Sequence, residues 1–207
     1  MKNILISPPF DFINLILSKK KLLKDIKKIN NDLINVKILG GYTFNNFQDW
    51  LKIFNYKNNI NIKIENSDWG SAFQNTLTYL KLKKTHDVII LFNSIYDLLI
   101  QNSNNFDKNK IKLLLEIYKN LFEKLRKKNK KIIFNLFEYF HYNEIEQNNF
   151  KNKFIIDKLN EKLVKLIRQY NNIIIINPTS NFNYANLNSV VDIRNWNFYG
   201  SLFNLEQ

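Results

Sequence analysis

No cysteine occurs in the 207 residues. Its absence excludes disulfides, thiolate metal sites and cysteine nucleophiles, and fits a reducing compartment. Histidine is nearly as scarce, so an imidazole base could come only from His86 or His141. Three arginines, Arg126, Arg168 and Arg194, stand among 31 basic residues, leaving few groups for bidentate contacts to phosphate or guanine. Long apolar runs are missing too. The N-terminal candidate is broken by Pro8, Pro9, Asp11 and Asn14, so no signal peptide is expected there, and no window reaches the length of a bilayer span. A cytoplasmic protein without a transmembrane segment is expected. No internal repeat is visible.

What is present describes a packed globule. Hydrophobic residues make up 45% of the chain and aromatics 14%, and the length suffices for one sizeable domain with a buried core. The formal charge of +13 is almost all lysine. The lysine runs, Lys19 to Lys21 and RKKNKK from Arg126 to Lys131, fall on a helix face and at a helix C-terminus, where cations are favoured in any case. They read as solvated surface, and nucleic acid is not the expected partner.

The stretch VKILGGYTFNNFQDW, Val36 to Trp50, carries a strand, a tight turn and a helix start within fifteen residues. Two of the chain's four glycines, Gly40 and Gly41, allow a sharp reversal that lays bare amides above the strand. Asn45 or Asn46 is suited to cap the helix, whose free N–H groups favour an anion.

Before this stretch, Phe12, Ile16, Leu23 and Ile26 recur at helical spacing beneath a lysine-rich face, predicting an N-terminal helical extension over residues 1–35 that packs on a domain of residues 36–207. After it, Phe47, Trp50, Leu51 and Phe54 mark one side of a helix. Ile60, Ile62 and Ile64 alternate with polar residues as in a half-buried strand. The run Ser67 to Ser71 leads into a helix ending near Leu82. Asp87 to Phe92, DVIILF, reads as a strand covered on both faces, closed by the polar pair Asn93–Ser94. Asp107 is placed to cap a helix with Ile111, Leu114, Tyr118, Leu121 and Leu125 on one face. Ile132 to Phe137 is a fourth strand, followed by a polar and aromatic loop from Glu138 to Asn148. Ile156, Leu159, Leu163, Leu166 and Ile167 line the next helix, and the four isoleucines Ile173 to Ile176 predict a fifth, buried strand.

Five strands alternating with amphipathic helices imply an α/β fold: a three-layer α/β/α sandwich on a mostly parallel five-stranded sheet, flavodoxin-like in plan. Ligands of such sheets bind outside the carboxyl ends of the strands. Gly40 to Thr43, Asp68 to Gly70, Asn93–Ser94 and the loop after Phe137 are therefore expected along one edge, where the segment after Ile176 also starts.

A glycine turn after the first strand, Gly70 after the second and Asn93 after the third resemble the SGNH (GDSL-type) hydrolases. More narrowly, LGGYTFNNFQDWLKIF, the pair Trp69–Gly70 and the closing DIRNWNFYGSLF resemble the N-terminal SGNH-like domain of FkbH-type proteins of HAD subfamily IIIC, over about Val36 to Phe203. The resemblance implies an oxyanion-hole-like, ligand-binding set of Gly41, Tyr42, Gly70, Asn93 and Trp196, with Asp192 in the late Asp-x-x-His position. It also implies a HAD-type phosphatase-like domain and an acyl carrier protein as partners. No cofactor or metal is expected.

This chain departs from the hydrolase pattern at the reacting groups. Tyr42 stands where the hydrolases have serine, Gly41 where they have aspartate and Asn195 where they have histidine. A phenol without activation is a poor nucleophile, and an amide is no general base. Thr43 supplies a hydroxyl beside the turn, and His141 a base after the fourth strand. No Asp-x-Asp nucleophile motif of a HAD domain occurs. The expected function is an accessory or binding domain that assists acyl or glyceryl transfer to a carrier protein. One alternative is an atypical esterase using Thr43 or Tyr42 with His141, Asp192 being the third catalytic candidate. Another is a lysine-rich polyanion-binding protein.

Overall fold

A computed structural model describes residues 12–26, 32–40, 45–67, 71–93, 108–137 and 147–177. The elements run α1 (Phe12–Ile26), β1 (Leu33–Gly40), α2 (Asn45–Lys57), β2 (Asn61–Asn66), α3 (Ala72–Lys81), β3 (Val88–Phe92), α4 (Lys108–Lys128), β4 (Lys131–Asn135), α5 (Gln147–Ile167) and β5 (Ile173–Ile176). The strands form one five-stranded parallel sheet in the order β2-β1-β3-β4-β5, flanked by helices, which is the three-layer α/β/α class. β1 begins at Leu33, three residues earlier than the apolar run Val36 to Leu39 suggests. Among the described residues, no helix is long and apolar enough to cross a membrane.

Two compact units divide the chain, Met1–Val36 with Phe44–Glu65, and Lys37–Thr43 with Asn66–Gln207. In the first, α1 packs on α2 through Leu22, Leu23 and Ile26 against Trp50 and Ile53. Lys19 spans the same contact, 2.9 Å from Asp49 and over the Trp50 ring. Ile53 of α2 is wholly buried, while Trp50, Leu51 and Phe54 are half-buried. Asn59 adopts φ 55° just past the end of α2, and the amides of Asn59 and Ile60 bond back to the carbonyls of Tyr56 and Asn55. This is a helix stop normally built on glycine, and asparagine tolerates the left-handed conformation better than other residues with a Cβ.

In the second unit, α4 packs between α3 and α5, and each helix lies against the strand that follows it. Parallel register sets Ile89, Ile132 and Ile173 in one row and Leu91, Phe134 and Ile175 in the next. This face meets Ile111, Leu114, Tyr118, Leu121 and Leu125 of α4 and Ile156, Leu159, Leu163 and Ile167 of α5, all buried as the helical spacing predicts. Phe122 and Phe134 meet edge to face at 5.3 Å, and Tyr118, Phe137 and Tyr170 extend the aromatic cluster. Edge-to-face contact suits the opposed charge of ring faces and rims.

The other face is barer. Ile90 and Ile133 are half-buried, but Ile174 is 49% exposed and Ile176 is 42% exposed. The four-isoleucine run is therefore not a strand buried on both faces. β5 is the sheet's edge, and only Ile173 on it is buried.

At the amino ends of the strands, Tyr79, His86 and Asn129 form a buried network. The Tyr79 hydroxyl donates to Asn129 Oδ1 at 2.7 Å and lies 3.0 Å from His86 Nδ1. A hydroxyl has one proton to give, so His86 donates from Nδ1 to Tyr79. Lys128 reaches from α4 to the Tyr79 and Leu82 carbonyls, satisfying the open end of α3.

Candidate functional site

The carboxyl edge of the sheet begins where β1 ends. Gly40 donates its amide to Ser67 Oγ at 3.2 Å, and Ser67 Oγ donates back to the Gly40 carbonyl at 3.0 Å. Asn75 of α3 donates to the same carbonyl at 2.8 Å. Ser67 is held in turn by its own amide, which donates to the Ile38 carbonyl. Helix α3 points its N-terminus from this edge, capped by Ser71, whose Oγ accepts the Gln74 amide.

β3 ends in the same way. Asn135, the last residue of β4, accepts the Asn93 amide through Oδ1 at 2.6 Å and donates from Nδ2 to the Asn93 carbonyl at 2.8 Å. A side-chain amide has the same donor and acceptor as a peptide group, so Asn135 continues the ladder where the backbones part. Past β4, Asn160 of α5 treats Phe137 likewise, accepting its amide at 3.0 Å and donating to its carbonyl at 2.7 Å. Three strands thus leave the sheet with both backbone groups of one exit residue clamped by a single side chain. The direction of each following loop is set there.

Asn93 itself is 4% exposed. Its Oδ1 accepts from the Tyr118 hydroxyl at 3.0 Å, and its Nδ2 makes one long bond, 3.3 Å, to the Leu91 carbonyl. One N–H of that amide is left over. At the end of β2, Asn66 Oδ1 is buried and accepts no hydrogen bond. Buried polar groups are nearly always paired, so an orphaned acceptor and a spare donor along one edge constitute unused binding capacity. β2 and β3 flank β1, so the two groups stand at strand ends on either side of β1. The strand order reverses between β1 and β3, and crevices at such switch points receive ligands in doubly wound folds.

Of the candidate catalytic and ligand-binding residues, Asn93 is the described one, and it stands at this edge with Gly40. Gly41, Tyr42, Thr43, Gly70, His141, Asp192 and Trp196 lie outside the described residues, as do Asp107 and the side chains of Asn45 and Asn46. Sequence reasoning passed over Ser67, Asn66, Asn75, Tyr118, Asn135 and Asn160. A signal was available for two of them. Asn135 interrupts the apolar run IIFNLF, and Asn160 sits between Leu159 and Leu163 on the inward side of α5, and a polar residue in either place needs a partner.

Among the described residues, no three His, Asp or Glu side chains stand together to hold a metal ion. What the edge offers is neutral hydrogen-bonding groups, able to orient a polar ligand.

No protein-family model matches the sequence, and no curated protein does. Among solved structures, the N-terminal part of the protein BF1531 from Bacteroides fragilis, containing a phosphatase domain complexed with Mg, is similar with a TM-score of 0.68 at 16% identity. The match covers 90% of this chain and 52% of that one, so this chain spans about half the length of its neighbour. At that identity the likeness shows a shared fold.

Proposed function

We propose that the chain is an FkbH-type, SGNH-like accessory domain whose carboxyl edge binds an acyl or glyceryl group presented by an acidic carrier protein. It works beside a HAD-type phosphatase-like domain, in the cytoplasm, with residues 36–207 as the working domain. The observation that carries this reading is the unused hydrogen-bonding capacity of Asn66 and Asn93 at the switch point of a doubly wound sheet. The neighbouring structure lends support, since its similar part belongs to a protein containing a phosphatase domain.

The edge is suited to orientation rather than bond breaking. Asn93 is positioned by Tyr118 and Asn135, so its spare N–H can donate to a carbonyl oxygen without reorganising. Asn66 Oδ1 can accept from a ligand hydroxyl or amide. Hydrolysis would further need a nucleophile and a base, for which the sequence reading offers Tyr42 or Thr43 with His141.

Titration of the 207-residue chain with an acylated carrier protein, followed by calorimetry, tests the proposal. Saturable binding that weakens about tenfold in Asn93→Ala, with no turnover of short p-nitrophenyl esters, is the expected result. Ester hydrolysis that disappears in Thr43→Ala or His141→Ala would overturn it in favour of an esterase.

A further inference from the structure

A second site lies at the opposite end of the same sheet, and the rim plays no part in the argument for it. A shallow cleft of about 460 Å³ is lined by Arg126 and Lys127 at the end of α4, Lys131 at the start of β4, and Asn171 and Asn172 in the turn before β5. We propose that this cleft binds a phosphate monoester on a small molecule.

The basic run that borders it divides sharply by what its cations already do. Lys128 is spent on the Tyr79 and Leu82 carbonyls, and Lys130 is 3.1 Å from Asp87. Among the described residues, the side chains of Lys127 and Lys131 have no hydrogen-bond or ion-pair partner. Helix-end electrostatics accounts for cations near the carbonyls of α4, but it does not require two unpaired ammonium groups and a guanidinium around one depression.

Arg126 is held in a particular way. Its Nε lies 2.9 Å from Glu123 Oε2, and its guanidinium sits over the Tyr170 ring at 5.6 Å. Tyr170 in turn donates its hydroxyl to Glu123 Oε1 at 3.0 Å. Glu123 is thereby engaged on both oxygens, and because it takes the Nε side of the fork, the terminal nitrogens of Arg126 remain available. A guanidinium oriented from behind, with its outer edge free, suits bidentate contact with a tetrahedral oxyanion.

Charge and shape favour phosphate over carboxylate. A phosphate monoester presents three terminal oxygens and close to two negative charges at neutral pH. The cleft presents three cationic groups, with the Asn171 amide beside them and the Asn172 amide, one N–H of which donates to the Asn129 carbonyl at 3.4 Å. A carboxylate would leave one of the three cations without a partner. The cleft's small extent favours a single phosphoryl group over a polynucleotide backbone, which needs a tract of cations along its length.

The test is titration of the full chain with glycerol phosphate, inorganic phosphate and a single-stranded oligonucleotide without terminal phosphates, at 150 mM salt to suppress diffuse attraction. Saturable one-to-one binding of glycerol phosphate is expected. Arg126→Lys, which keeps charge and loses the fork, should weaken binding about tenfold. Lys127→Gln and Lys131→Gln each remove an unpaired surface cation without disturbing the fold, and each should weaken binding severalfold. Lys153→Gln, on exposed α5 surface, should leave it unchanged. Binding that falls equally in Lys153→Gln, or oligonucleotide affinity that exceeds that for glycerol phosphate and grows with length, would overturn the proposal. So would the absence of saturable binding. None of these results bears on the carrier-protein titration, which reads the other end of the sheet.

Discussion

Asn135 Oδ1 accepts the amide of Asn93 at 2.6 Å while its Nδ2 donates to the carbonyl of that same residue at 2.8 Å. The pair ties the ends of β3 and β4 together at the point where the backbone ladder stops. Asn160 with Phe137 and Ser67 with Gly40 repeat the device. In each case a small polar side chain closes a strand end that would otherwise be buried with open backbone groups.

Asn135→Ala should therefore strand two buried backbone groups of Asn93, at about 1–3 kcal/mol for each. Urea denaturation should show a lower midpoint with an unchanged slope. Hydrogen exchange offers a local readout, because the Asn93 amide should lose protection beyond the global loss. Unchanged exchange at Asn93 would contradict the assigned clamp.

The two faces of the central sheet should differ in tolerance. Phe134→Ala removes a wholly buried ring from the aromatic cluster and should cost about 3–5 kcal/mol. Ile174→Ala, one strand away on the exposed face, should cost about 1 kcal/mol or less. Comparable losses in thermal melts would mean that the exposed face is covered in solution.

Asn129 accepts from both the Tyr79 hydroxyl and the His86 amide, at 2.7 and 3.2 Å. Asn129→Ala leaves both donors buried, and a loss of about 2–4 kcal/mol is expected. Tyr79→Phe should cost less in the Asn129→Ala background than in the parent chain, because its main acceptor is already gone. Strict additivity of the two changes would refute that coupling.

Alkaline stability should report on Tyr170. Burial, reinforced by its hydrogen bond to Glu123 and that carboxylate's charge, raises its phenol above the ordinary value of 10.0, while Arg126 opposes the rise. The folded state then holds this proton more tightly than the unfolded chain, so the stabilisation is complete below pH 10 and is lost as pH climbs from there through the folded value. Lys128 runs the other way, since burial lowers its ammonium below 10.5, and its deprotonation in the fold begins before that of the unfolded chain. Tyr170→Phe should flatten the decline above pH 10, measured by denaturation at a series of pH values. A parallel decline in parent and variant would assign it to other groups.

Much of the architecture was legible in the residues. Helical spacing at Ile111, Leu114, Tyr118, Leu121 and Leu125 names the buried face of α4, and strand–helix alternation names the parallel sheet. Local periodicity could carry this because each face is set by residues three or four apart. It misled at β5, where four isoleucines suit burial on both faces, yet edge position exposes Ile174 and Ile176. Composition alone cannot tell a central strand from an edge, since strand order is a property of the whole sheet.

The site divides along the same line. Asn93 was recognisable as a polar residue closing an apolar strand, and Gly40 as the start of a turn. Their partners were not, for Asn135 lies 42 residues from Asn93 and Ser67 lies 27 from Gly40. The sequence by itself determined which segments become strands and helices and which side of each turns inward, because burial of apolar surface follows short-range periodicity. Tertiary structure alone decided which side chain clamps which strand end, and which of the cations from Arg126 to Lys131 remain unspent. Those pairings depend on parallel register and on contacts between segments distant in the chain, which local pattern does not encode.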